Sequence, residues 1–117
     1  MTLLVEDDSG VRWVVRNMLQ QIGCVVQEAV DGKQALESVS VEQPDVVVLD
    51  VLLPDMNGLE VMVRLQSTGV PIVAMTGSLI PSAVMREKGA HGVLRKPFSI
   101  RDLRRAIEKA TATRADL

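Results

Sequence analysis

Residues 46–50 read Val46-Val47-Val48-Leu49-Asp50, a run that is apolar at four consecutive positions and ends in a carboxylate. A strand with one face in water would alternate apolar and polar residues. This run therefore predicts a strand covered on both faces, as at the centre of a parallel sheet. Asp50 would then lie at the carboxyl end of the strand, where open parallel sheets place their functional groups.

Shorter apolar runs and helical patterns alternate on either side of this strand. Apolar residues spaced three and four positions apart predict five amphipathic helices between the runs. Ser9 is expected to cap the first helix and Gly23 to end it, while Asn57 and Gly69 bound the third. The other runs lie at residues 2–5, 24–29, 71–75 and 92–94, and the helical stripes at residues 11–22, 35–39, 59–65, 83–85 and 103–110.

This alternation is typical of one α/β domain, in which a parallel sheet lies between two layers of helices. We expect the domain to occupy residues 1–117, with its packed core at about residues 2–110, and Thr111 to Leu117 to form a frayed end. Trp13 and Phe98 are the only aromatic residues, so the core must be aliphatic.

The composition argues against several classes of function. The net charge of -2 gives no basic footprint for nucleic acid. A lone cysteine, Cys24, excludes an internal disulfide and is expected to be a small buried residue. No apolar run reaches the roughly 18 residues that a membrane span needs, and Glu6-Asp7-Asp8 interrupts the first apolar stretch, so no signal peptide is expected either. A cytoplasmic protein is the expectation.

Polar residues follow or end four of the predicted strands, so folding would bring them to one edge of the sheet. Carboxylates that converge in a small space stay ionised together only around a cation. Oxygen ligands suit a hard ion, and Mg²⁺ is expected because it binds few carboxylates together with phosphate and water. A lysine and a hydroxyl beside that ion predict a phosphoryl-transfer site, in which Asp50 attacks in line. The residues are Glu6, Asp7 and Asp8, then Asp50, then Thr76, and then Lys96.

Four motifs, in this order and at these intervals, give the chain a family resemblance. It resembles the receiver domains of two-component response regulators along essentially its whole length. Among them, its sequence is similar in style to the receiver domains that are attached to hybrid histidine kinases. The resemblance implies a flavodoxin-like (βα)5 sandwich with strand order 2-1-3-4-5. The motifs are Leu4-Val5-Glu6-Asp7-Asp8, Asp50-Val51-Leu52-Leu53-Pro54-Asp55-Met56-Asn57-Gly58, Met75-Thr76-Gly77 and Lys96-Pro97-Phe98.

The resemblance also implies roles for single residues and partners. Asp50 would accept a phosphoryl group from a histidine kinase or a histidine phosphotransfer protein, and the domain would signal to a protein partner or an attached output domain. No external substrate turnover, direct nucleic-acid binding or membrane insertion is expected. The implied Mg²⁺ ligands are Glu6, Asp7, Asp50 and the backbone carbonyl of Leu52. Thr76 and Lys96 would contact the phosphoryl oxygens. Pro54 and Gly58 would shape the loop after Asp50, and the Lys96–Pro97 peptide bond would be cis.

One position departs from the family pattern. Many receivers carry Tyr or Phe three residues before the lysine, and here that residue is Val93, which has no ring to swing. This leaves open a second reading, a pseudo-receiver that binds proteins without being phosphorylated. A third, a phosphohydrolase, would show a second acid two residues after the nucleophile, where Leu52 stands.

Three further residues have two interpretations each. Asp8 is expected to serve the start of the first helix, with metal contact as the alternative. His91 is expected to be a loop residue rather than a ligand or a phosphodonor. Trp13 lies off the apolar stripe of its helix, and either packs there or forms a docking contact for the phosphodonor.

Overall fold

The computed structural model describes residues 1–77 and 79–115, with side chains up to residue 112. Five strands and five α-helices alternate along the chain, and a 3-10 turn at Gln66–Thr68 extends the third helix. No helix in these ranges is long and apolar enough to cross a bilayer. The strands are β1 (Thr2–Val5), β2 (Val26–Ala29), β3 (Val46–Asp50), β4 (Ile72–Thr76) and β5 (Gly92–Arg95), and the helices are α1 (Ser9–Gln21), α2 (Gly32–Val41), α3 (Gly58–Leu65), α4 (Ser82–Glu87) and α5 (Ile100–Ala115).

The strands form one parallel sheet in the order β2-β1-β3-β4-β5, which confirms the predicted flavodoxin-like topology. In the register of the sheet, Val5 pairs with Leu49, and Asp50 pairs with Met75. The chain reverses its direction of strand addition between β1 and β3, so a crevice opens at their carboxyl ends. Asp50 lies at that crevice.

Helices cover both faces of the sheet. Val47 and Leu49 of β3 pack with α2, α3 and Met85 of α4, whereas Val46 and Val48 pack with α1 and α5. The two-sided burial explains why the β3 run is apolar at every position. As expected, the buried side chains of the core are aliphatic or methionine.

The aromatic residues and the cysteine lie at the margins of this core. Phe98 is partly buried against the α1 and α5 side, and Trp13 is 67% exposed. Cys24 is also only partly buried, not fully enclosed as expected, because it precedes β2 at the edge of the sheet.

Two helix ends differ from the predictions. Asp8, not Ser9, caps α1, because its carboxylate accepts a hydrogen bond from the Val11 amide at 2.9 Å. The frayed end predicted from Thr111 is wrong as far as Ala115, since α5 continues to that residue. The Thr111 hydroxyl donates to the Ile107 carbonyl at 2.8 Å within this helix. Residues 116–117 lie outside the described ranges.

Candidate functional site

Three carboxylates meet at the carboxyl edge of the sheet. Glu6 and Asp7 follow β1, and Asp50 ends the adjacent strand β3. One oxygen from each of these side chains lies within 4.8 Å of the others. Glu6 is completely buried and Asp50 is 6% exposed, whereas Asp7 is exposed at the mouth of the site. The sequence prediction that these acids converge is therefore met by the geometry.

Lys96 enters the same cluster from the end of β5. Its ammonium group donates to Glu6 Oε1 at 3.1 Å and to Asp50 Oδ2 at 3.0 Å. The Lys96 backbone N–H donates to the Thr76 carbonyl at 2.9 Å, which fixes the strand exit that carries the ammonium group. One cation thus joins two carboxyl groups that are far apart in sequence.

The two buried carboxyl groups have opposite pKa shifts. Burial, reinforced by the nearby Asp50 charge, raises the pKa of Glu6 to about 8. Burial alone would also raise the pKa of Asp50, but hydrogen bonds from Glu6, Leu52 and Lys96 outweigh it and lower that pKa. Lys96 loses solvation as well, yet its two carboxyl partners raise its pKa. Burial therefore favours the protonated form of Glu6, whereas the contacts of Asp50 favour its anionic form.

The donor set fits a hard divalent cation. Glu6 Oε2 is buried and has no hydrogen-bond partner among the described residues, although most buried polar oxygens have one. Asp7 and Asp50 offer further carboxylate oxygens next to it. A cation there would keep all three acids ionised, and an exposed side such as that of Asp7 leaves room for water or phosphate oxygens, as Mg²⁺ prefers.

The loop after Asp50 is held tightly at its base. The Leu52 amide donates to Asp50 Oδ1 at 2.9 Å, and Leu52 forms an isolated antiparallel bridge with Asn57. The Gly58 amide donates to the Val51 carbonyl at 2.8 Å. A Cβ on Gly58 would lie 2.5 Å from the Val51 Cα, so only glycine fits this crossing. These contacts hold Leu52 and the base of the loop beside Asp50.

The other residues singled out in the sequence lie at the end of β4, on β5 and directly before or after β5. Thr76 is fully buried at the end of β4, beside the strand that carries Asp50. The predicted cis bond between Lys96 and Pro97 is present. Val93 is half-buried on β5, and His91 Nδ1 accepts a hydrogen bond from the Ile72 amide at 3.0 Å, a contact that supports the turn before β5.

Asp8 lies apart from the acidic cluster. Its carboxylate caps α1, so of its two interpretations the structure favours the start of the helix over metal contact. The next acid back along the chain, Asp7, takes the position at the cluster.

Sequence analysis missed three polar side chains around the site. Arg12 donates to the Glu6 carbonyl at 2.9 Å and steadies the acidic turn from α1. Asp55 reaches from the loop after β3 to the first amides of α2, and Arg95 donates to the Ile80 carbonyl in the segment before α4. Arg12 falls one helical turn after the acidic triplet, which is a weak signal. The hydrogen-bond partners of Asp55 and Arg95 are distant in sequence, so the sequence gave no signal of these contacts.

Known proteins share this architecture. The response regulators MprA of Mycolicibacterium vanbaalenii and Mycobacterium leprae are 40% and 41% identical to this chain in alignments of 105 residues. The matches cover 86% of this chain and 46% of each relative. The chain thus spans about half the length of the curated relatives it matches. The chemotaxis response regulator CheY4 of Vibrio cholerae superposes with a TM-score of 0.83 at 33% identity, over 93% of this chain and 96% of that one.

A second solved structure and a family match agree with these relatives. The receiver domain of NtrX from Brucella abortus superposes with a TM-score of 0.89 at 26% identity, over 97% of this chain and 99% of that one. Residues 2–108 match the family described as the response regulator receiver domain. That match covers nearly the whole chain and includes every residue of the acidic cluster. The chain therefore belongs to the response regulator receiver domain family.

Proposed function

We propose that this receiver domain is a phosphorylation-dependent signalling switch in which Asp50 is the phosphoacceptor. The observation that carries the proposal is the buried contact of Asp50 with Lys96, beside two further acids that fit a divalent ion. Asp50 keeps a lowered pKa and so presents an anionic nucleophile. A surface carboxylate without these neighbours would have neither the lowered pKa of Asp50 nor cations beside it to neutralise the charge of the transferring phosphoryl group.

The transfer proceeds by in-line displacement. An Asp50 carboxylate oxygen forms a bond to the phosphorus of a phosphohistidine while the bond from phosphorus to the imidazole nitrogen breaks, and that nitrogen keeps the electron pair. Lys96 and the Thr76 hydroxyl contact the oxygens that carry the transferring charge. Glu6, Asp7, Asp50 and the Leu52 carbonyl would hold Mg²⁺, which would supply further neutralisation of that charge. In the absence of the ion, Lys96 holds Asp50 in place.

The signal then leaves through the neighbouring elements. A phosphoryl group adds nearly two negative charges at neutral pH. Lys96 and Thr76 are drawn toward them, which biases the segment between β4 and α4 and, through it, the surface formed by α4, β5 and α5. With Val93 in place of an aromatic ring, this readout depends on backbone and packing changes at the end of β4. The recipient is a protein partner or an output domain.

The donor is a histidine kinase or a histidine phosphotransfer protein that meets α1. An apolar cleft of about 270 Å³ lies between α1 and residues 96–98, next to the acidic cluster, and Val11, Val14 and Met18 line its α1 side. Trp13 and Val14 on α1 are 67% and 46% exposed. Exposed apolar surface beside a reactive acid suits a docking partner.

Replacing Trp13 with alanine separates docking from chemistry. We expect Trp13→Ala to slow phosphoryl transfer from a phosphohistidine protein about tenfold, because an exposed aromatic anchor is lost. Labelling by a small acyl phosphate should be unchanged, since α1 does not supply the reacting groups. Val41→Ala is the matched control, because Val41 is 87% exposed on α2 and lies far from the cleft in sequence. Equal transfer rates for the two variants would show that Trp13 is not part of the docking surface.

The phosphoacceptor itself is tested by intact-mass spectrometry. Incubation with Mg²⁺ and acetyl phosphate should add the mass of one phosphoryl group to the wild-type chain and nothing to Asp50→Asn. Chelation of Mg²⁺ should suppress the adduct. If no donor gives an adduct, the alternative of a constitutive binding module, which Val93 leaves open, takes its place. Repeated turnover of an added phosphoester would instead indicate a phosphohydrolase.

A further inference from the structure

A single residue of α1, Arg12, is hydrogen-bonded to every carbonyl group of the acidic turn Glu6-Asp7-Asp8. Its Nη1 donates to the Glu6 carbonyl at 2.9 Å and, in a longer contact of 3.4 Å, to the Asp7 carbonyl. The Arg12 backbone N–H donates to the Asp8 carbonyl at 2.9 Å. The path of the turn that carries two of the site acids is therefore set by this one residue.

The acids of the turn depend on their backbone for their direction. The Glu6 amide donates to the Ala29 carbonyl at 3.1 Å, so with Arg12 on its carbonyl both backbone polar groups of Glu6 are engaged. Fixed peptide groups leave little freedom in φ and ψ, and they set the direction of the Cα–Cβ bond. Among the described residues, none bonds the exposed carboxylate of Asp7, so only its backbone aims it at the cluster.

Arg12 is in turn paired with a carboxylate on the edge strand β2. Its Nε lies 3.9 Å from Glu28 Oε2, a distance that allows an ion pair but is too long for a hydrogen bond. Arg16 Nη1 lies 3.6 Å from the other oxygen of the same carboxylate. Glu28 pairs in register with Leu4 of β1, and the Arg12 side chain is only 19% exposed. The guanidinium group thus joins β2 to the acidic turn.

Charge alone would not favour an arginine at this turn. A guanidinium group there repels a divalent ion, so as a charge it would weaken binding of that ion. As a shape it is well suited, because its planar fork carries several N–H donors that can reach the carbonyl groups and face Glu28 at the same time. A lysine ammonium group is a compact point charge and cannot replace that fork. Geometry and charge therefore predict opposite effects of Arg12 on the affinity for a cation.

We infer that Arg12 is a positioning residue for the proposed Mg²⁺ site and that Glu28 orients it. Arg12 holds the acidic turn so that the carboxylates of Glu6 and Asp7 stay beside Asp50, and it thereby raises the affinity of the cluster for Mg²⁺. Residues that hold the ligands of a metal ion contribute to its affinity without touching it. The inference rests on the proposed function, because it places the ion at that cluster.

Magnesium affinity is the direct test of this role. Titration of the chain with Mg²⁺, followed by NMR through the backbone amide shifts of Asp7 and Asp8, measures it without any phosphoryl donor. We expect Arg12→Lys to weaken Mg²⁺ binding about tenfold, because the charge stays and the fork is lost. Arg12→Ala should weaken it as well. Arg16→Lys is the matched control and should bind as wild type, since among the described residues Arg16 pairs with Glu28 and not with the turn.

The part of Glu28 is tested by a double-mutant cycle. Glu28→Gln should weaken Mg²⁺ binding in the wild-type chain and should have a smaller effect in Arg12→Lys, because Glu28 acts through Arg12. Losses that simply add would show that Glu28 contributes only its charge, and would overturn its orienting role.

Two outcomes would overturn the role of Arg12. Equal Mg²⁺ affinities of Arg12→Lys and wild type would reject it, and tighter binding by Arg12→Ala would show that Arg12 acts only as a repelling charge. The phosphoryl adduct separates this inference from the proposed switch. An adduct on wild type, with unchanged Mg²⁺ affinity in Arg12→Lys, would leave the switch and reject the role of Arg12. Weaker Mg²⁺ binding by Arg12→Lys, with no adduct on wild type from any donor, would do the reverse.

Discussion

At the scale of single residues, Lys96 offsets the unfavourable burial of two neighbouring carboxyl groups. Glu6 and Asp50 lie side by side with little access to water, and each would resist ionisation on its own. The ammonium group of Lys96 contacts both. Lys96 favours the anionic form of Asp50 and partly offsets the burial that raises the pKa of Glu6. The three acids could hold a divalent ion, and its charge would favour the ionised form of Glu6 as well.

Gly58 provides a test of how tightly the loop after Asp50 is built. We expect Gly58→Ala to lower the free energy of unfolding by about 1–3 kcal/mol, because the new methyl group would meet the backbone of Val51 rather than a side chain that can turn away. Chemical denaturation measures the loss. Gly77→Ala is the control, since an added Cβ there meets no described atom within 4 Å, and it should change stability by less than about 0.5 kcal/mol. Equal stability of the two variants would show that the crossing at Val51 is loose.

Several of these residues could be predicted from sequence, and others could not. Asp50 and Thr76 end strands, and Glu6, Asp7 and Lys96 directly follow strands, so the rule that parallel strands share one functional edge placed them together. Asp8 and Ser9 are both good capping residues one position apart, and only the backbone distinguishes them. The contact of Glu6 with Lys96 spans 90 positions, and only the fold brings it about.

At the scale of elements, the loop after β3 is attached to the start of α2. Asp55 Oδ1 accepts from the Gly32 amide at 2.8 Å, and Oδ2 accepts from the Lys33 amide at 2.9 Å. Met56 packs so closely that a Cβ on Gly32 would lie 2.5 Å from its Cγ. A carboxylate at a helix start is favourable, and here it comes from another element, so it fixes the loop as well as the helix.

Replacing Asp55 with asparagine should loosen this attachment. We expect Asp55→Asn to lower stability at neutral pH and to speed hydrogen exchange of the Gly58 amide at the base of the loop. The Gly32 amide holds the pKa of Asp55 below its usual 3.8 in the folded chain. The stabilisation is therefore present above pH 3.8 and is lost as the pH falls through the lowered value, so wild type and variant should converge in acid.

Asp31→Asn is the matched control for that experiment. Asp31 caps the same helix by accepting from the Gln34 amide at 2.8 Å, but it belongs to the chain just before α2 and not to the loop. Because an asparagine oxygen can accept the same hydrogen bond, Asp31→Asn should change stability little and should leave exchange at Gly58 unchanged. Equal exchange in both variants would mean that Asp55 supports only the helix.

Element boundaries show where sequence patterns stop being informative. The glycine expected to end α1 does so, with Gly23 in the left-handed region at φ 92° and the Cys24 amide bonded to the Leu19 carbonyl. The extra turns of α5 beyond Ala110 had no such marker. Residues 111–115 lack a clear apolar stripe, which is the sequence signal from which the helices were predicted.

At the scale of the whole molecule, function follows from topology. A strand order with its reversal between β1 and β3 brings the ends of β1, β3, β4 and β5 to one edge, although their polar residues are spread from Glu6 to Lys96. The alternation of the sequence indicated the layers, and the order of the strands came only with the family resemblance, because periodicity does not specify which strands are neighbours.

A crystal structure with Mg²⁺ and beryllium trifluoride, an analogue of the phosphoryl group, tests the central claim most directly. We expect the analogue on the Asp50 carboxylate, the ion bound by Asp7, Asp50 and the Leu52 carbonyl near Glu6, and Lys96 and Thr76 in contact with the fluorine atoms. An analogue bound elsewhere, or an ion that leaves Asp50 paired only with Lys96, would contradict it.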